Sequence, residues 1–123
     1  MSKRRTILFY CQHSLGMGHL VRSLALAESL AGRFRVVLLN GGRLPKGIVV
    51  PAGIEVVNLP PLGMDAASQL VSQDKRITVE RALERRRKMI RGSFEQLRPA
   101  VVFVELFPFG RKKFADEIGR AHV

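Results

Sequence analysis

The stretch TILFYCQHSLGMGHLVRSLALAESLAG, residues 6–32, decides the fold. Thr6–Cys11 is short, apolar and bounded by polar residues, which predicts a buried strand. Gln12–Gly18 reads as a loop. From His19 to Ala31, the residues Leu20, Leu24, Ala27 and Ala31 recur at spacings of three and four, the stripe of an amphipathic helix. Gly32 is placed to end it. A buried strand, a glycine-bearing loop and a helix, in that order, are the start of an α/β sheet.

The rest of the chain continues the alternation. Arg35–Asn40 predicts a second strand, Gly41-Gly42 a turn, and Leu44–Gly53 a connector punctuated by proline and glycine. Ile54–Leu59 predicts a third strand, ended by Pro60-Pro61. Residues 62–75 are polar and fit either a mobile loop or a short helix. Arg76–Arg98 predicts a long helix with the stripe Val79, Leu83, Ile90, Phe94 and Leu97; Arg86 fills the gap in it and Pro99 stops it. Ala100–Glu105 predicts a fourth strand, Leu106–Gly110 a loop, and Arg111–Ala121 a last helix. With right-handed crossovers this order gives a Rossmann-like open parallel sheet with helices on both faces. About four strands are few for such a sheet, so the chain is expected to be part of something larger.

Composition narrows the function classes. Hydrophobic residues make up 46% of the 123 residues, enough for a core. The net charge of +11 suits phosphates or an anionic membrane surface equally. Nucleic acid is disfavoured, because the chain has one tyrosine, no tryptophan and no paired-cysteine metal spacing. Cys11 is the single cysteine, which excludes an internal disulfide and suits a reducing cytosol. The apolar run Ile7–Cys11 is too short for a signal sequence. No segment reaches the ~20 apolar residues that span a bilayer.

The loop before the first helix is the candidate site. In open α/β sheets ligands bind beyond the carboxyl ends of the strands, where this loop lies. Gly16 and Gly18 allow a tight turn and close approach of a ligand, with Met17 between them. The helix start behind them offers unpaired N–H groups and a positive dipole end. A phosphate loop needs Gly-Lys followed by Ser or Thr, and Gly18-His19-Leu20 is not that. A dinucleotide fingerprint wants a small residue at Val21 and an acid near Asn40, and has neither. His19, in the first helical turn, is expected to be a neutral imidazole and so a competent general base; it equally fits a residue that caps or packs the helix start. His13 faces the same loop.

Glu105 ends the fourth strand. In the strand order 3-2-1-4 it lies near the glycine loop, where it can bond a sugar hydroxyl, orient His19, or pair with Arg22 or Arg111. Phe107 and Phe109, either side of Pro108, fit an apolar ligand wall or a core plug. Asn40 either lines the same cleft or caps a turn. In helix 76–98, Arg85, Arg86, Arg87 and Lys88 cannot share one face, so some are expected beside the apolar stripe and snorkelling outward. That helix reads as a solvated cover for the sheet, with attraction to an anionic membrane as its functional alternative.

Ser14-Leu-Gly-Met-Gly-His-Leu-Val-Arg-Ser-Leu-Ala-Leu-Ala27 resembles the first loop and helix of GT-B glycosyltransferases, which have two facing Rossmann-like domains. It is similar above all to the bacterial N-acetylglucosaminyltransferase of peptidoglycan synthesis and its relatives. Val102-Phe-Val-Glu-Leu-Phe-Pro-Phe-Gly-Arg111 resembles one uncharacterised branch of that group. The resemblance implies hexosyl transfer from a nucleotide-sugar donor to an acceptor hydroxyl, with no metal or other cofactor. It implies that this chain is the acceptor-side half, 1–123, with Gly16, Gly18 and His19 in the first glycine-rich loop and a donor-binding domain or partner subunit elsewhere. The acceptor is then a small molecule or lipid-linked, and the location cytoplasmic or peripheral at the inner membrane face. Leu15 and Met17 depart from the richer glycine run of the peptidoglycan enzyme. The isolated chain is expected to be inactive. The alternative is a nucleotide-, dinucleotide- or anion-binding Rossmann-like module without transferase activity.

Overall fold

Thr6–Gln12 forms strand β1, and all seven of its residues are buried. Its side chains alternate between two apolar layers, as a strand covered on both faces requires. Ile7, Phe9 and Cys11 pack on one side with Leu20, Leu24 and Ala27 of helix α1, Gly18–Leu30. Leu8 and Tyr10 pack on the other with Ile90, Met89, Phe94 and Leu97 of helix α2, Val79–Leu97. The computed structural model describes residues 4–12, 18–67 and 69–106.

Strand β2, Arg35–Asn40, lies on one side of β1 and the last described strand, Val101–Leu106, on the other. Strand β3, Ile54–Asn58, lies beyond β2, and all the pairings are parallel. Between β3 and α2 come two short strands, β4 (Leu62–Met64) and β5 (Leu70–Ser72), so the last strand is β6. The sheet order is β3-β2-β1-β6, with a separate two-stranded sheet β4-β5. A helix on each face of a parallel sheet is the Rossmann-like architecture expected. The predicted loop 106–110 beyond Leu106, and the helix 111–121, lie outside the described residues.

Within 62–75, where a loop or a short helix was expected, β4 and β5 pair as antiparallel strands. Their backbone is tied down at both ends, with Leu62 N donating to Gly41 O (3.1 Å) and Gln73 N to Pro61 O (2.9 Å). Leu62 and Ala82 are fully buried, and Met64, Leu70 and Leu83 join them beneath the first turns of α2. That helix starts at Val79 rather than Arg76. Thr78 is extended (φ −78°, ψ 166°), and its hydroxyl accepts from Arg81 N, capping the first turn.

The basic run 85–88 also departs from expectation. Arg86 does not snorkel. Its side chain is 0% exposed and turns inward at the gap in the apolar stripe. Nη1 donates to Gly41 O (2.7 Å) and Pro60 O (3.0 Å). Nη2 donates to the Tyr10 hydroxyl (2.8 Å) and Gln12 Oε1 (2.6 Å). One guanidinium thus joins α2 to the carboxyl ends of β1, β2 and β3, using the several divergent donors that only arginine has.

Candidate functional site

The strand registers align one residue from each strand across the carboxyl end of the sheet. Asn58 pairs with Asn40, Asn40 with Cys11, and Cys11 with Glu105. Partners in register point to the same face, so all four side chains lie on the α1 side. Gly18 opens α1 over that face. The topology therefore brings Glu105 and Asn40 to the rim where β1 ends, on the face that α1 covers.

Glu105 takes the place that the 3-2-1-4 order gives it. Its Oε1 lies 3.3 Å from Arg22 Nη1, with the two side chains 29% and 71% exposed. That contact, between partly solvated groups, is worth about 0–1 kcal/mol. Asn40 is committed to structure. It is 1% exposed, and its Nδ2 donates to Gly42 O (2.7 Å) and Asn58 Oδ1 (3.0 Å). Of the two expectations for Asn40, these contacts are those of the turn cap.

Between them sits Cys11, 0% exposed. Burial pushes its thiol pKa up, a hydrogen bond with Ser23 works against that, and the Glu105 charge adds to the rise. A buried, protonated thiol is not a nucleophile. At Gly18 a Cβ would meet no atom within 4 Å, so neighbouring side chains do not demand glycine there. The backbone of His19 lies in the first turn of α1; its side chain, together with His13, Gly16, Met17, Phe107 and Phe109, lies outside the described residues.

Three rim residues escaped the sequence reading. Gln12 ends β1 on the opposite face and is 0% exposed, its Nε2 donating to Leu62 O (2.8 Å) and its Oε1 accepting from Arg86. Arg86 itself was visible only as a gap in a stripe. Asn58 had a signal: like Asn40, it ends a β-branched run and precedes a turn. Among the described residues no group of three His, Cys, Asp or Glu could hold a metal ion. No described helix is long and apolar enough to cross a membrane. Helix α2 spends its apolar stripe on the sheet and hairpin, so its outer face offers charge rather than an apolar surface for a bilayer.

The parallel order and the helix on each face make this a Rossmann-like domain, with an open rim at the carboxyl ends of its strands. No family model matches the sequence, and no curated protein matches it. Solved structures do. Phytolacca americana UGT2 complexed with UDP-2fluoro-glucose and pterostilbene is 21% identical with a TM-score of 0.57, over 97% of this chain and 29% of that one. The apo form of the same protein is 23% identical with a TM-score of 0.57, over 94% of this chain and 27% of that one. The chain thus spans less than a third of the length of these structures. The likeness is one of fold; it does not single out the peptidoglycan N-acetylglucosaminyltransferase.

Proposed function

We propose that the chain is the acceptor-binding part of a nucleotide-sugar-dependent glycosyltransferase. The observation that carries this reading is the polar row Asn58–Asn40–Cys11–Glu105 beneath the start of α1, in a fold shared with a plant glycosyltransferase. Glu105, at the end of β6 on the α1 face, is the group assigned to bond an acceptor hydroxyl. Gly18 leaves space for the acceptor to approach the helix start. His19, in that first turn, takes the hydroxyl proton as the acceptor oxygen attacks the anomeric carbon and the bond to the nucleotide diphosphate breaks. The donor and the groups that stabilise the departing diphosphate belong to a second domain or a partner subunit, since one side of a cleft cannot hold all the reacting parts together. The reading also takes the site of action to be cytoplasmic, and any membrane contact of α2 to be electrostatic.

The test is a titration of the isotope-labelled chain, followed by amide chemical shifts. An alkyl N-acetylglucosaminide is expected to move the signals of Gly18, Asn58 and Glu105. NAD is expected to leave them in place, and the chain alone is expected to transfer no labelled hexose from UDP-glucose or UDP-N-acetylglucosamine. Movement of Gly18 with NAD would favour a dinucleotide-binding module instead. A rim silent to the glycoside, or clear turnover by the isolated chain, would sink the proposal.

A further inference from the structure

We propose that the amino-terminal rim of the sheet, opposite the candidate cleft, carries a second site, for a ligand bearing a phosphate or diphosphate group. Arg4 and Arg5 precede β1, Arg35 opens β2, and Arg98 closes α2 just before β6. The sheet draws these segments together: Arg35 N donates to Arg5 O (2.9 Å) and Ala100 N to Thr6 O (2.9 Å). The four arginines and Gln96 line one open concavity of about 690 Å³. It lies a strand's length, roughly 20 Å, from the glycine-loop rim.

The guanidinium groups differ in how far the fold engages them. Arg35 makes a forked pair with Glu55, at 2.7 and 2.9 Å. Arg4 gives one N–H to Ala31 O at 3.0 Å. The side chains of Arg5 and Arg98 are exposed and have no hydrogen bond or ion pair among the described residues. Among the described residues the lining holds four cations and no carboxylate, and Glu55 pairs with one of the four. At physiological salt the screening length is about 8 Å, so neighbours within one concavity still repel. An oxyanion relieves that repulsion and matches the planar fork of the guanidinium.

Arg98 supplies the second, independent reason. Its backbone is left-handed, φ 44° and ψ 61°, and it is the one non-glycine residue of positive φ among those described. Helices commonly end on glycine in this conformation, because a Cβ is strained there. The bond that closes the helix runs from the Arg98 backbone N–H to Phe94 O, and glycine would make it equally well. The side chain is thus not needed for closure, and it reaches the concavity. The competing account is that it only complements the negative end of the helix dipole.

The two accounts part on Arg98→Gly. The chain is titrated with inorganic pyrophosphate at fixed ionic strength and its Tm followed; a saturable rise is expected. Arg5→Gln and Arg98→Gly are each expected to weaken the apparent affinity roughly tenfold, with Arg98→Gly melting no lower than the parent before anion is added. Arg85→Gln, which removes the same charge from the outer face of α2, is expected to change nothing. Phosphatidylglycerol vesicles form the second arm: binding lost in the same two variants, without a pyrophosphate response, assigns the same site to a lipid headgroup. An equal loss in Arg85→Gln, no response in either arm, or a preference for duplex RNA weakened alike by all three variants would overturn the site. So would an Arg98→Gly chain that melts lower yet binds pyrophosphate as the parent does.

Discussion

Arg86 carries its charge to a place without solvent, and the partners it meets there at 2.6–3.0 Å are carbonyls, a hydroxyl and an amide oxygen. Removing a buried charged donor strands its acceptors, and the cost is large for that reason. Arg86→Met is expected to lower unfolding stability by about 3–5 kcal/mol in urea denaturation. Arg86→Lys should fall between, since an ammonium on a single stem cannot reach acceptors on three strands. Gly41 reports the same crowding from the other side. A Cβ there would overlap Gln12 Oε1 and come within 2.9 Å of Arg86 Nη2. Gly41→Ala is expected to cost about 1–3 kcal/mol by overpacking, and an unchanged urea midpoint would show that the network gives way cheaply. The direction in which Arg86 turns was not legible in the sequence. Its partners lie 26 to 76 residues away along the chain, and hydropathy cannot distinguish an arginine facing water from one facing buried carbonyls.

The elements that could be read were those with a period of their own. β1, β2, β3 and both helices each carry enough apolar residues to show one, and their bounds agree with the structure to within a few residues. The hairpin β4–β5 could not be read, because three-residue strands are too short to show alternation. They exist because tertiary contacts with Gly41, Pro61 and α2 hold them. The join between hairpin and α2 is set by short-range polar contacts. Thr78→Ala removes the cap that accepts from Arg81 N and should cost about 1 kcal/mol, seen as a lower urea midpoint with an unchanged slope. Just upstream, Asp74 accepts from the Arg76 side chain and backbone, which hold its pKa near 2, below the ordinary 3.8. A carboxylate depressed in the folded state contributes stability above its unfolded pKa and loses it as pH falls through the folded one. That contribution should therefore be intact above about pH 4 and gone by about pH 2. The Tm difference between the parent and Asp74→Asn is expected to shrink across that window; a difference constant from pH 5 to pH 2 would rule out the Arg76 contact as its source.

Across the whole molecule, the two ends of the sheet are built differently. At the amino end, arginines stand exposed around one concavity. At the carboxyl end, Gln12, Asn40 and Cys11 are buried at 0–1% exposure, and Glu105 stays partly exposed beside Arg22. The common order 3-2-1-4 was enough to place Glu105 beside the carboxyl end of β1, and the register with Cys11 agrees. The sequence could not show which rim side chains are tied up in structure, because that depends on contacts between distant strands. Those commitments make Gly18→Ala the sharpest separation of fold from function. Gly18 is the first residue of α1, with open space where a Cβ would go. Alanine there suits the helix as well as glycine or better, so the urea midpoint should hold or rise slightly. If an acceptor seats against that backbone, the added methyl occupies its space, and the glycoside-induced shifts at Asn58 and Glu105 should weaken or vanish. Glu105→Gln removes charge without adding bulk. It should weaken the glycoside response while the chain still unfolds in one cooperative urea transition. A Gly18→Ala chain that is stable and binds the glycoside like the parent would move the ligand away from the start of α1.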